Sequence, residues 1–311
     1  MESNSTNNSL LKAITGTLLS QIIIIVFTPI ITRIYSPEVF GISAAFLAIA
    51  NIFGSIICLR LEFSIIIPKS ENESFKLLKL SIIVAILNSL ILTIIFFFFK
   101  TNIFISIKID EFIKFWYLLP VIVFLLGLNS ALVLWLSRKN RYSTISISKI
   151  VYAITMIFAS ILLGKYYSSS SVIRIISNLL GMVVSILIII IVIFNKDNYS
   201  LKCEKKYFFL IKENKTFITY DVIANIFSSM SWQIVPILFS IYFNSEVAGK
   251  YSLSISIIQL PMSLIGNAIS QVFYSQSRSA RIERTLIKHL NTILWKMIKI
   301  CFFPSIILVF I

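Results

Sequence analysis

Long uncharged apolar runs are the feature that most limits what this chain of 311 residues can fold into. Seven runs reach the roughly 20 residues that a helix rising 1.5 Å per residue needs to cross hydrocarbon. An eighth reaches that length if it is extended back from Ile150 to Ser143, and a ninth begins at Ile300. The first eight runs are Ala13–Thr32, Val39–Leu59, Leu80–Phe99, Phe115–Ser137, Ile150–Gly164, Ile175–Asn195, Val222–Ser245 and Tyr251–Ser277.

These runs are continuously apolar and do not alternate between apolar and polar residues. A lipid-exposed backbone must satisfy its own hydrogen bonds, and uninterrupted apolar segments do so as helices, whereas barrel strands alternate. The runs therefore predict an all-α integral membrane protein.

The basic residues are distributed unevenly between the two sides of the predicted membrane. If Lys149 is counted with the even-numbered loops and Arg174 with the odd-numbered loops, 21 of the 28 Lys and Arg residues lie on the side of the N-terminus. This bias predicts a cytoplasmic N-terminus in a multi-pass protein of the bacterial inner membrane. The net charge of +15 then reflects topology and attraction to anionic membrane lipids, not binding of nucleic acid.

A short motif occurs twice. Ser36–Gly41 (Ser-Pro-Glu-Val-Phe-Gly) returns as Ser245–Gly249 (Ser-Glu-Val-Ala-Gly), which places Glu38 and Glu246 208 positions apart. We interpret the motif as the mark of two related halves in a two-lobed bundle. Six helices per copy, an even number, would give both halves the same orientation, with a substrate path between them, as in a transporter.

The repeat also predicts the organisation of the chain. We expect a six-helix lobe at residues 1–195, a cytoplasmic linker at 196–215, and a second lobe at 216–311 that contains about three of its six helices. By the same spacing, the second lobe should end near residue 416, on the order of 200 residues after it begins. The chain ends at Ile311, so we expect it to be truncated at the C-terminus.

Ionisable residues at the ends of apolar runs are candidate functional residues, because charge in a membrane is costly. Arg33 and Arg60 could line a path or extend to lipid headgroups. Arg138, Lys139 and Arg141 could bind cargo or anchor topology. Asp221 could be a proton or cation site, or an acid favoured by a helix N-terminus. The candidates, including an acidic neighbour of Arg60, are Arg33, Arg60, Glu62, Arg138, Lys139, Arg141 and Asp221.

The sequence shows no pattern typical of an enzyme, a metal site or a cofactor site. His289 is the sole histidine and lies in a basic stretch, while Cys58, Cys203 and Cys301 are far apart. There is no Gly-rich phosphate loop and no paired-carboxylate motif. We therefore expect a protein without cofactor or metal, and not an enzyme.

Several segments together resemble the bacterial flippases of O-antigen and capsular polysaccharide. These flippases belong to a superfamily that also includes multidrug extruders and lipid II flippases. The resemblance lies in Thr32–Gly41, in Cys58–Glu62 followed by Pro68–Ser70, in Trp135–Tyr142 and in Gln259–Tyr274. The last segment is the most specific.

This resemblance, which runs from about Leu10 to Gln276, implies a two-lobed fold of twelve to fourteen helices. It implies movement of an undecaprenyl-pyrophosphate-linked oligosaccharide to the outer leaflet, alongside other membrane proteins of polysaccharide assembly. Arg60 and the group Arg138–Arg141 would then bind diphosphate on the cytoplasmic side. Arg33 would lie at the outer gate, and Glu62 would orient Arg60 or take part in ion coupling.

Two other functions are also compatible with the sequence. A multidrug or cation antiporter of the same superfamily would need membrane-embedded carboxylates, for which Glu62 and Asp221 are candidates. A membrane enzyme of glycan assembly, such as a polymerase or ligase, would usually carry its catalytic groups on a sizeable external loop, and the external loops predicted here are short.

Overall fold

The computed structural model describes residues 2–68, 70–106, 110–196, 215 and 217–258, and over these residues the chain is helical with short connections. Two 3₁₀ helices, Leu61–Ile66 and Asp110–Lys114, flank the third long helix, and a π-helical turn spans Phe217–Asp221. The long helices are α1 (Glu2–Ile34), α2 (Pro37–Gly54), α3 (Glu71–Ser106), α4 (Leu118–Arg138), α5 (Tyr142–Tyr166), α6 (Ser171–Lys196), α7 (Val222–Tyr242) and α8 (residues 245–258).

Seven of the described helices are long and apolar enough to cross a membrane. The most apolar of these segments, Ser171–Asn195, reaches a mean hydropathy of 2.9. The chain is therefore a multi-pass integral membrane protein with a helical bundle, as the apolar runs predict.

The helix boundaries refine several of the predicted spans. Helix α5 begins at Tyr142, which confirms the extension of the short fifth run. Helix α2 ends at Gly54, so the predicted span to Leu59 is wrong at its end. The chain continues through turns over residues 55–60, and at the end of these turns Leu59 and Arg60 adopt left-handed backbone angles, with φ of 52° and 59°.

Parts of the predicted organisation lie outside the described residues. The run Tyr251–Ser277 is described only to residue 258, and the ninth run, from Ile300, is not covered. Most of the proposed linker at 196–215 is likewise outside this range. The chain from Met1 to Ile257 forms one compact unit, in which α7 packs along α2.

Small residues allow α1 and α5 to pack closely. A Cβ at Gly16 would collide with the Ser146 side chain, and one at Gly164 would lie 2.6 Å from the Tyr35 hydroxyl oxygen. That hydroxyl donates a hydrogen bond to the Ser160 carbonyl oxygen at 2.8 Å. Such close approach at small residues is typical of helix pairs in membranes, where lipid provides little hydrophobic driving force between helices.

An aromatic cluster fills the core beside α2. Phe46 is fully buried, and its ring centroid lies 5.2 Å from that of Phe112 and 5.3 Å from that of Phe115. Edge-on and tilted contacts of this kind add to the packing energy of the rings. The cluster ties α2 to the 3₁₀ helix Asp110–Lys114 and to the start of α4.

The cluster predicts a strong position dependence of stability. We expect Phe46→Ala to lower the free energy of unfolding by about 3–5 kcal/mol, because the cavity can collapse only partly. Phe98→Ala is the control, since that side chain is 71% exposed, and it should cost less than about 0.5 kcal/mol. Thermal unfolding in detergent would measure both, and equal losses would contradict the assigned core.

Candidate functional site

The irregular segment between α2 and α3 contains the predicted pair Arg60 and Glu62. The Arg60 guanidinium carbon lies 3.9 Å from the centroid of the Phe63 ring. Glu62 is buried, with 3% of its surface exposed. The Nε of Arg60 and the Oε2 of Glu62 are both buried without a hydrogen-bond partner among the described residues, so each keeps unused hydrogen-bonding capacity.

The burial of Glu62 changes its proton affinity. Burial raises the pKa of the Glu62 carboxyl to about 7, although its own backbone amide and the charge of Arg60 act to lower it. Burial also raises the pKa of the neighbouring Cys58 thiol, and the charge of Glu62 raises it further. The carboxyl can therefore change protonation near neutral pH, which is the property that an ion-coupling group needs.

Arg138 binds the backbone of this same segment. Its Nη1 donates to the carbonyl oxygens of Ile65 (3.4 Å) and Ile66 (3.0 Å), and its Nη2 donates to that of Ser70 (3.3 Å). The carbonyls of Ile65 and Ile66 end the 3₁₀ helix Leu61–Ile66, where a helix leaves carbonyls without partners of its own. The Ser70 carbonyl also accepts from the Ser74 amide at 3.3 Å. Arg138 thus holds in place the segment that carries Arg60 and Glu62.

The other members of the basic cluster lie nearby. The Nζ of Lys139 pairs with Glu71 Oε2 at 2.7 Å and lies 5.3 Å from the ring centroid of Trp135. Arg141 is half-buried, and its backbone amide donates to the Leu136 carbonyl oxygen at 2.9 Å. The cluster therefore joins the end of α4 to the start of α3.

The two remaining candidates are distant from this segment in sequence, but the π-helical turn Phe217–Asp221 contacts the 3₁₀ helix Leu61–Ile66. Arg33 is exposed near the end of α1. Asp221 is half-buried at the start of α7, and its side chain does not cap the helix.

Two basic residues assigned to loops by the charge count are instead within helices. Lys149 lies in α5 and Arg174 in the first turn of α6, because α5 and α6 begin earlier than the apolar runs do. The Nζ of Lys149 donates to Thr17 Oγ1 on α1 at 2.9 Å. The backward extension of the fifth run was the available signal for Lys149, whereas nothing in the sequence distinguished Arg174 from a loop residue.

The guanidinium of Arg174 lies among aromatic rings, and its carbon is 6.0 Å from the centroid of the Tyr35 ring. Its Nε donates to Ser43 Oγ at 3.1 Å, and its guanidinium carbon lies 3.7 Å from the centroid of the Phe40 ring. The two terminal amino groups of the guanidinium make no hydrogen bond among the described residues. These two groups therefore keep hydrogen-bonding capacity that an anion could use.

A mainly apolar cavity of about 160 Å³ lies between α4, α5 and α6. Its polar lining residues are Asn129, Ser148, Lys149, Tyr152 and Ser185, and the other lining residues are apolar. Next to it, Asn178 Nδ2 donates to the Tyr152 hydroxyl oxygen at 2.9 Å. Hydroxyls, one amide and one ammonium group thus interrupt an otherwise apolar lining.

Comparison with known proteins identifies the family. Residues 8–274 match the family described as polysaccharide biosynthesis protein. The chain belongs to this family. No curated protein matches at a significant level.

The fold has a solved counterpart at low sequence identity. The chain is similar to the inward-facing conformation of a multidrug resistance MATE family transporter of the MOP superfamily, with a TM-score of 0.60 and 16% identity. The match covers 97% of this chain and 68% of the other. The chain thus shares its fold with a solved membrane transporter.

The buried carboxyl predicts a pH dependence of stability. Glu62 has a folded pKa of about 7 against an ordinary value of 4.5, so the folded state favours its protonated form. The free energy of unfolding should fall by about 3 kcal/mol as the pH rises from 4.5 to 7 and change little above that, since a tenfold change in proton affinity corresponds to about 1.4 kcal/mol.

The measurement is thermal unfolding in detergent between pH 4.5 and 8. Glu62→Gln should remove this part of the pH dependence, whereas Glu73→Gln, at an exposed position, should leave it unchanged. An unaltered pH profile in Glu62→Gln would contradict the assignment.

Proposed function

We propose that the protein is a flippase of the bacterial inner membrane that moves an undecaprenyl-pyrophosphate-linked oligosaccharide from the inner to the outer leaflet. The cargo would feed O-antigen or capsular polysaccharide synthesis, together with other membrane proteins of that assembly. Transport would proceed by alternating access between two lobes, with the N-terminus in the cytoplasm. Membership of the polysaccharide biosynthesis family supports this proposal.

The observation that carries the proposal is that two positively charged residues lie within membrane-crossing helices without an acidic partner in the described part of the chain. Lys149 and Arg174 lie in membrane-crossing segments, and the described residues place no carboxylate within 4 Å of either. A charge in a membrane is costly unless it is paired or hydrated. Two cations without an acid suit an anionic cargo, and an Arg fork binds phosphate oxygens in a bidentate manner.

The same observation weighs against a cation-coupled multidrug antiporter. Among the described residues, Glu62 lies in the irregular segment, and Asp221 lies as near the end of its membrane-crossing segment as Arg174 does. Lys149 lies deeper, two turns into α5, and has no acid of comparable depth as a partner among the residues that the structure describes. We assign Glu62 to proton coupling or to orienting Arg60, and Asp221 to a secondary coupling role. The unused Oε2 of Glu62 supports the first role.

We assign Arg60, Arg138, Lys139 and Arg141 to the cytoplasmic mouth of the path and Arg33 to its outer end. For Arg60, the unpartnered Nε supports a direct role in binding diphosphate. Arg138 and Lys139 already bind Ile66 and Glu71, which supports a role in shaping the mouth.

Substitution of the interior cations tests the charge argument. We expect Lys149→Gln and Arg174→Gln each to reduce transfer of lipid-linked oligosaccharide in proteoliposomes by about tenfold or more, since loss of one charge-assisted hydrogen bond corresponds to about 1.5–3 kcal/mol. Lys165→Gln is the matched control, because that residue lies at the exposed end of α5. Equal transfer by all three variants would refute the role of the interior cations.

Arg60 is tested in cells. Arg60→Ala should fail to restore surface polysaccharide in a strain that lacks its flippase, because the variant loses its diphosphate contact. Membrane abundance of the variant is measured in parallel. Full restoration by a variant of normal abundance would remove Arg60 from the mechanism.

A further inference from the structure

The two copies of the repeated motif begin equivalent helices. Ser36 precedes α2, and its Oγ accepts a hydrogen bond from the Val39 amide at 3.4 Å. Asn244 precedes α8, and its Oδ1 accepts one from the Val247 amide at 2.8 Å. In both copies the capping side chain precedes the amide by three residues, as in a standard N-cap. Helices α2 and α8 are therefore counterparts in the two halves.

The two copies also meet in space, through their glycines. A Cβ at Gly41 would overlap the Ser245 carbonyl oxygen and lie 2.9 Å from the Gly249 nitrogen. A Cβ at Gly249 would overlap the Pro37 carbonyl oxygen and lie 2.9 Å from the Gly41 nitrogen. Each glycine thus faces the carbonyl four residues before the other glycine, so α2 and α8 cross in a reciprocal, twofold arrangement.

The geometry of this crossing leaves no room for a side chain at either glycine. The opposing atoms of Ser245 and Pro37 are backbone atoms, so no change of rotamer can make room for a side chain at Gly41 or Gly249. Backbones this close can attract each other only through weak contacts such as Cα–H···O. The crossing therefore requires glycine at both positions, yet it can separate without breaking a strong bond.

The opposite end of α2 is held in a different way. The Asn225 Nδ2 of α7 donates to the Ser55 carbonyl oxygen at 3.1 Å, and the Ser229 hydroxyl donates to Ser55 Oγ at 2.9 Å. Hydrogen bonds between helices in lipid have few competing partners. Helix α2 thus has a polar anchor on α7 at one end and a bare backbone contact with α8 at the other.

We propose that the Gly41–Gly249 crossing is a gate that closes the outer end of the transport path and separates in each cycle. The Ser55 anchor to Asn225 and Ser229 remains in place as the pivot. This inference rests on the proposed function, since it assigns the gate to a path between two halves.

A distance measurement tests the gate independently of any cargo. Spin labels at Glu38→Cys and Glu246→Cys, both exposed positions, report the separation of the two motifs in the full chain with its native cysteines replaced by serine. We expect a short-distance population in lipid nanodiscs. Gly41→Ala and Gly249→Ala should each shift it to longer distances, and the double variant should shift it further.

Gly181→Ala is the matched control. Gly181 packs against α5, where its Cβ would lie 3.0 Å from the Tyr152 carbonyl oxygen, so the substitution crowds a helix contact away from the crossing. Its distance distribution should equal that of the parent chain. A folded Gly41→Ala/Gly249→Ala variant with the parent distribution would overturn the gate.

A second measurement decides the question if the glycine variants do not fold. A short, cleavable thiol cross-linker joins Glu38→Cys to Glu246→Cys in the chain with both glycines intact. We expect oligosaccharide transfer in proteoliposomes to fall at least tenfold on cross-linking and to recover on cleavage. Undiminished transfer by the fully cross-linked protein would overturn the gate. Absence of transfer before cross-linking would instead contradict the proposed function, and the distance measurement would then decide on the gate.

Discussion

Lipid offers no hydrogen-bond partners to the backbone, and the arrangement of this chain follows from that constraint. Within an unbroken helix, the backbone amides and carbonyls satisfy one another. Where the chain leaves α-helical geometry after Gly54, side chains help to meet the constraint, and the guanidinium of Arg138 donates hydrogen bonds to the carbonyl oxygens of Ile65 and Ile66. The buried Glu62 therefore lies on backbone that a distant arginine keeps in shape.

Charge inside the bundle obeys a related constraint. Arg174 is stabilised by the face of Phe40 and by Ser43 Oγ, contacts that offset desolvation without neutralising the cation. Phe40 is also the residue before Gly41, which faces the second copy of the motif. The first turns of α2 thus contact both the guanidinium of Arg174 and helix α8. A movement of α2 relative to α8 would therefore also change the surroundings of Arg174.

The extent to which the sequence predicts this structure differs from feature to feature. Apolar length was sufficient to predict the membrane helices, because hydrocarbon thickness fixes it. The end of α2 was missed because the stretch Ser55–Leu59 carries no charge and continues the apolar run. Left-handed backbone angles are usually marked by glycine, and here they occur at Leu59 and Arg60. Lys149 and Arg174 were assigned to loops because charge counting assumes that cations lie outside helices.

The candidate site was predictable only in part, for a similar reason. Arg60, Glu62 and Arg138 were selected from the sequence, but the hydrogen bonds of Arg138 to backbone carbonyls could not be, since they join residues about 70 positions apart. Likewise, the repeat indicated that two segments are equivalent, yet equivalence along a chain carries no information about whether the copies touch.

The reciprocal glycine contact has a consequence for the symmetry of the molecule. A surface whose two copies meet through a twofold axis is self-complementary, as in an isologous dimer interface. Gly41 faces the residue four before Gly249, and Gly249 faces the residue four before Gly41. One copy of the motif therefore contains both the protruding carbonyl and the recess that receives it, so a protein with a single copy could pair with itself in the geometry that joins the two copies in this chain.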